Sequence, residues 1–344
     1  MKLVVTLFGL PALVLGLAAA TLAQTYTVVD VPDAGGTWPV SINNGGDVAG
    51  YFCRNVNAAG YCPDYQARGF VREFNGNITT FDGIPTSIND LGTVAGYFFF
   101  DATGLHNFLR DRKGNVTVFD VPQPFPPSPA AGFAMAMNNG GDIAGYLIPC
   151  PNCDTDQGFV RDRLGGITTF VIPKGLVTTG INARGDITGH TAPFYLSEDG
   201  FVRGRDGNIT IFDVGSGPGP RAYCVSINNG GDVAGYYYDA SLRRARGFVR
   251  ERNGNITVFD GIPNALYTRS ASINELGAIA GDVGDAAGSH NFLRDRIGNV
   301  TIFDVPNAFV ARSISINNRG DVAGYFYELR NGGIVTHGFV RSVH

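Results

Sequence analysis

Ser41-Ile42-Asn43-Asn44-Gly45-Gly46-Asp47-Val48-Ala49-Gly50-Tyr51 returns almost letter for letter as Ser226-Ile227-Asn228-Asn229-Gly230-Gly231-Asp232-Val233-Ala234-Gly235-Tyr236. Close variants begin at Ser87, Ala136, Gly180, Ser272 and Ser315, so the pattern occurs seven times. Its apolar marker (Ile42, Ile88, Met137, Ile181, Ile227, Ile273, Ile316) recurs at spacings of 46, 49, 44, 46, 46 and 43 residues. Periods of this length mark repeat architectures and decide the fold before any single element does.

Two further motifs follow each copy in order. The first resembles Gly-Phe-Val-Arg and ends at Arg72, Arg110, Arg161, Arg203, Arg250, Arg294 and Arg341. The second resembles Asn-Ile-Thr-x-Phe-Asp and follows six of these, as at Asn255–Asp260. Each unit therefore reads as four short strands rich in Val, Ile, Thr, Phe and Tyr. Asn-Asn-Gly-Gly and Asn-Gly links are hairpin signals, because Asn and Gly tolerate the positive φ such turns require. Four strands per 40–50 residues match propeller blades. The seventh unit stops after its third strand, while Thr25-Tyr26-Thr27-Val28-Val29-Asp30-Val31-Pro32 resembles the fourth-strand segment Thr301-Ile302-Phe303-Asp304-Val305-Pro306. A linear stack has no use for this permutation, whereas a ring uses it to remove exposed edges. The expected fold is all-β: residues 24–344 as one seven-bladed β-propeller of four-stranded blades, its ring closed by the N-terminal strand completing the last blade.

Composition agrees. Of the 344 residues 48 are Gly, and only 16% are charged, for a formal net charge of −4. Asp outnumbers Glu by 25 to 5 and Arg outnumbers Lys by 23 to 3, which favours turns over helices. A mildly acidic chain without a basic stripe argues against nucleic acid as a partner. Residues 1–23 read as a signal peptide: Lys2, an apolar run from Leu3 to Leu17, then small residues up to Ala23. A secreted or periplasmic protein is expected, a monomer with no membrane insertion after cleavage.

The Ile-Asn-Asn-x-Gly-Asp-Val-Ala-Gly-Tyr segments, followed by His337-Gly338-Phe339, His106-Asn107-Phe108 and His290-Asn291-Phe292, resemble the HAF-type extracellular repeat family of bacterial secreted proteins. The resemblance covers nearly all of residues 24–344 and implies an exported repeat protein without a known chemistry. Arg68, Gln157, Asp199 and Arg246 replace the His of the triplet in the other four copies.

In an up-down-up-down blade, the short and nearly constant links one-to-two and three-to-four share one face. The variable links, such as 51–67, 146–157, 236–246 and 121–134, share the other, and function gathers on variable loops held by a rigid scaffold. If strand one lines the channel, the residues four places before each apolar marker circle its mouth: Trp38, Ile84, Phe133, Val177, Tyr223, Arg269 and Arg312. An aromatic, Arg-bearing rim suits stacking on sugars or clamping acidic groups, so Trp38, Phe133, Tyr223, Arg269 and Arg312 are the candidate ligand-binding residues.

The repeated arginines read as structural ties to Asp30, Asp82, Asp120, Asp213, Asp260 and Asp304 on outer strands, with Arg161 the odd member because Val171 replaces Asp. The strand-one asparagines read as turn-formers. Cys53 with Cys62, and Cys150 with Cys153, lie within single loops and are expected to close disulfides, leaving Cys224 as a buried thiol. Five Asn-x-Thr sequons, from Asn77 to Asn299, follow from turn chemistry. No catalytic motif, metal-ligand set or cofactor motif is present. The function expected is therefore a binding or interaction module for an extracellular glycan or protein. A polysaccharide hydrolase or lyase at the channel, and a surface-structural protein, are the alternatives. Two or three carboxylates converging within about 5–10 Å at the mouth would favour the enzyme.

Overall fold

The computed structural model describes residues 24–57, 60–63, 66–98, 104–122, 130–147, 157–172, 175–191, 199–215, 221–330 and 333–343. The expected signal peptide and the Cys150 and Cys153 pair lie outside them. The described residues form strands, turns and loops, with no helix beyond an isolated turn.

Each repeat contributes consecutive antiparallel strands, as in Gly36–Ile42, Val48–Cys53, Arg68–Arg72 and Ile78–Phe81. Four-stranded sheets run Val177–Ile181 through Ile209–Phe212, Arg221–Ile227 through Ile256–Phe259, and Tyr267–Ile273 through Val300–Phe303. In the last repeat Val310–Ile316, Val322–Arg330 and Gly333–Val343 pair in sequence. Gln24–Val29 then runs antiparallel along Gly333–Val343, with Gln24 opposite Val343 and Val29 opposite Gly338. A single parallel bridge, Gly36 to Thr336, merges this sheet with that of the first repeat.

The repeat's letters follow from packing. In the first turn Asn43 Oδ1 accepts the Asp47 amide at 2.8 Å, and Gly46 takes φ +86°, where a side chain is strained. The Gly of Ala-Gly-Tyr is demanded by crowding: a Cβ on Gly281 would strike the Arg269 carbonyl oxygen and the Phe292 ring. The same collision recurs at Gly50, Gly96, Gly145, Gly189, Gly235 and Gly324. The Phe involved (Phe70, Phe108, Phe159, Phe201, Phe248, Phe292, Phe339) is fully buried in every repeat.

The core lies between neighbouring sheets. Phe303 and Val305 pack with Ala311, Ile316, Val322 and Phe339 of the next repeat. A like cluster joins the chain ends, with Val29, Val31, Ala323 and Val340 against Ile42, Val48 and Phe70.

The repeated arginines are not tied to the outer-strand aspartates, which corrects that expectation. Arg110, Arg161, Arg203, Arg250, Arg294 and Arg341 lie over Phe81, Phe119, Phe170, Phe212, Phe259 and Phe303 of the preceding repeat, 4.5–4.8 Å from the ring centres. Register explains the difference: Arg72 sits opposite Ile78, at the start of the outer strand, whereas Asp82 follows its end, beside Arg68. Five of the six aspartates instead bind the variable triplet position: His337–Asp30 at 2.8 Å, Arg68–Asp82 at 2.9 Å, His106–Asp120 at 2.7 Å, Arg246–Asp260 at 3.0 Å and His290–Asp304 at 2.9 Å. His and Arg exchange there because either donates to a carboxylate. Arg161 is not the odd member; the exceptions are Gln157, which faces Val171, and Asp199, whose charge adds to burial in pushing the Asp213 carboxyl up.

Candidate functional site

The inner strands of all seven repeats line one central cavity of about 600 Å³. Its wall arises from a recurrent irregularity. All seven inner strands repeat the same register shift, as between Pro39 and Ser41 or between Ser313 and Ser315. The extra residue of the bulge, Val40, Met135, Val225 or Ile314 for example, lines the cavity. Bulges re-aim side chains in this way beside many binding sites. Hydroxyls alternate with these groups. Ser41, Ser87 and Ser315 also accept the amides of Ile88, Met137 and Ile42 in the next repeat, which satisfies the free edge of the inner strand.

The two ends of the cavity differ in chemistry. At one end the asparagines do more than form turns: six of the seven pass their Nδ2 to the carbonyl of the next repeat's asparagine. The links are Asn43 to Asn89, Asn138 to Asn182, Asn182 to Asn228, Asn228 to Asn274, Asn274 to Asn317 and Asn317 to Asn43, at 3.0–3.3 Å. A second course runs beside it through Asn44, Asp90, Asn139, Asn229, Glu275 and Asn318. Burial pushes the Glu275 carboxyl up against the opposing Asn229 amide.

The other end, about 13 Å away along an inner strand at 3.3 Å per residue, carries the residues expected at the mouth. Each faces a second-strand residue: Trp38 opposite Tyr51, Ile84 opposite Tyr97, Phe133 opposite Tyr146, Val177 opposite His190, Tyr223 opposite Tyr236, Arg269 opposite Asp282 and Arg312 opposite Tyr325. The two sets interleave. Phe133 lies 5.6 Å from Tyr146 and 4.9 Å from Tyr97 of the preceding repeat, and Tyr223 stands likewise between Tyr236 and His190. In place of an aromatic, Asp282 stands between Arg269 at 4.0 Å and Arg312 at 3.5 Å. Burial pushes the Asp282 carboxyl up, and the two guanidiniums oppose that. The Tyr325 hydroxyl, also at the mouth, is pushed up by burial.

The candidate residues thus occupy different settings. Arg269 and Arg312 line the central cavity with Asp282, Tyr236 and Tyr325. Phe133 and Tyr223 are half-buried within the aromatic belt. Trp38 is only 6% exposed, stacked on Tyr51 at 5.3 Å, and borders a smaller lateral cavity of about 250 Å³ with Tyr61, Cys62 and Tyr97. The Cys53–Cys62 disulfide holds the loop beside that cavity. Cys224 is a buried thiol, pushed up to about 12 by burial. The second-strand half of the belt went unread in the sequence. Its signal was available: six repeats follow Ala-Gly or Thr-Gly with Tyr or His, and Asp282 alone breaks the series. Asp282 is also the one carboxylate bordering the cavity among the described residues.

No family model matches the chain, and no curated protein matches it. Its fold is similar to a solved streptogramin B lyase, with TM-score 0.57 and 14% identity over 93% of this chain and 98% of that one. It is similar too to a catalytically inactive virginiamycin B lyase from Staphylococcus aureus solved with quinupristin, with TM-score 0.58 and 12% identity over 94% and 100%. These neighbours have propeller-like folds, and at such identities the likeness is one of fold.

Proposed function

We propose that the chain is an exported seven-bladed β-propeller, closed into a ring by its N-terminal strand, that recognises an extracellular carbohydrate or protein at the mouth of its central cavity. The resemblance to HAF-type repeats belongs to the same reading. Ring closure is supported by the pairing of Gln24–Val29 with Gly333–Val343 and by the Asn317 bond to Asn43, 274 residues away. Export is supported by the leader-like segment 1–23 and the Cys53–Cys62 disulfide, and among the described residues no helix is long and apolar enough to cross a membrane.

The observation that carries the binding function is the make-up of the mouth. Two guanidiniums, Arg269 and Arg312, and two tyrosine rings, Tyr236 and Tyr325, border a cavity of a size typical for small-molecule sites, which run from about 300 to 1,000 Å³. Acid–base cleavage of a glycosidic bond uses a pair of carboxylates flanking the bond. Among the described residues that line the cavity, Asp282 is the one carboxylate, held between two arginines. That disposition supports recognition over hydrolysis.

The test is an array of glycans and peptides probed with the purified protein, with turnover assayed on each hit. Saturable binding without turnover is the expected result. Turnover of a bound glycan moves the chain to the hydrolase or lyase reading, and binding to nothing on the array removes the recognition function.

A further inference from the structure

Resting on the recognition reading, we infer that the mouth takes a saccharide bearing a carboxylate, a uronic acid residue, with the acid seated on Arg269 and Arg312. The two guanidiniums are 39% and 35% accessible, whereas Asp282 between them is 6% exposed. A ligand therefore meets the arginines and not the aspartate.

Two guanidiniums carry ten N–H donors, and a carboxylate offers about four acceptor positions. Asp282, at 3.5 and 4.0 Å, leaves most donors for another partner and leaves the cluster one positive charge in excess. Its role is positional: it fixes both arginines at one point of the rim. Arg269 is braced further over the Tyr267 ring, 4.7 Å from its centre. A guanidinium fork matches a carboxylate with two parallel hydrogen bonds, which selects for a planar acid.

The neighbouring wall argues for a sugar as the bearer of that acid. Tyr236 and Tyr325 border the same cavity, and a tyrosine adds an apolar ring with a polar tip to the wall that a sugar meets. Deeper in, Ser41, Ser87, Ser226, Ser272 and Ser315 line the cavity beside Val40, Val225 and Ile314. Alternating hydroxyls and methyl groups complement a saccharide, whose rim is hydroxylated and whose faces are apolar. A peptide with a free C-terminal carboxylate shares the acid, but its backbone offers that hydroxyl lining one donor and one acceptor per residue, against several hydroxyls on each sugar ring.

Calorimetric titration decides the matter, with oligogalacturonate as the probe, a neutral oligogalactoside of equal length, and an acidic peptide. The wild-type protein is expected to bind the oligogalacturonate at least tenfold more tightly than either alternative, with affinity falling as salt rises. Arg312→Ala and Arg269→Ala are each expected to weaken it tenfold or more, with the melting transition retained. Arg312→Lys, which keeps the charge and loses the fork, falls between. Should Arg269→Ala fail to fold, Arg312→Ala and Arg312→Lys carry the test. Equal binding of neutral and acidic sugars, tighter binding of the peptide, or affinity unmoved by Arg312→Ala overturns the uronate assignment while leaving recognition in place. If none of the three probes binds, the uronate assignment is likewise overturned; recognition itself stands or falls on the wider array.

Discussion

Asn317→Ala and Asn182→Ala form a matched pair that tests ring closure through stability. Each side chain is 3% exposed and makes four hydrogen bonds. Asn317 donates to the Asn43 carbonyl at 3.1 Å and to Asp321 at 2.9 Å, and accepts the Arg319 and Asp321 amides, each at 3.0 Å. Asn182 donates to the Asn228 carbonyl at 3.1 Å and to Asp186 at 3.0 Å, and accepts the Arg184 and Asp186 amides at 3.0 and 2.9 Å. At about 1 kcal/mol per lost bond, with water recovering part of it, each change costs about 2–4 kcal/mol. At about 2 °C per kcal/mol, Tm falls by roughly 4–8 °C in either variant. The bonds are alike, but Asn182 joins repeats continuous in the chain, whereas Asn317 joins its last repeat to its first. In a closed wheel the two costs agree within about 0.5 kcal/mol, read as the shift in urea midpoint at constant slope. If Asn317→Ala costs less than half as much as Asn182→Ala, the ends are not joined and the reasoning fails.

Gly281→Ala places a Cβ against the Arg269 carbonyl and the Phe292 ring, so it should cost about 1–3 kcal/mol in urea unfolding. Gly320, at φ +84° with open space around it, should lose only about 1 kcal/mol as Ala. Reducing the Cys53–Cys62 disulfide frees a nine-residue separation and should cost about 2–3 kcal/mol, seen as a lower urea midpoint in dithiothreitol. His337 is held above its ordinary value by its hydrogen bond to Asp30, with Glu328 adding to this. Its folded pKa being raised, its contribution is complete below the unfolded value of about 6.5 and is lost as pH climbs through the higher folded value. The Tm gap between the wild type and His337→Gln should therefore narrow above about pH 6.5; a gap that widens contradicts the Asp30 tie.

Much of the fold was legible because a repeat multiplies every local signal by seven. Asn-Gly turns, strand alternation and the displaced fourth strand at Thr25–Pro32 each needed only local chemistry. What stayed hidden depends on register between strands. The stacking of Arg110 on Phe81 joins two repeats, and no spacing within one repeat reveals it. The bulge that turns Val40 and Ile314 into the cavity is likewise a property of pairing. At the mouth, Arg269 and Arg312 were readable as exceptions in an apolar series. The stacking of Trp38 on Tyr51 was likewise hidden, because the two meet only once the hairpin pairs. Asp282 went unseen because its series lies on the second strand, adjacent only once the hairpin forms.

The most direct measurement of the recognition site is hydrogen–deuterium exchange with and without a saturating ligand from the array. Protection should concentrate in Tyr267–Ile273, Ile279–Gly284 and Val310–Ile316, the strands that carry Arg269, Asp282 and Arg312. Protection confined to the asparagine turns at the far end, or to the outer strands, would contradict the account.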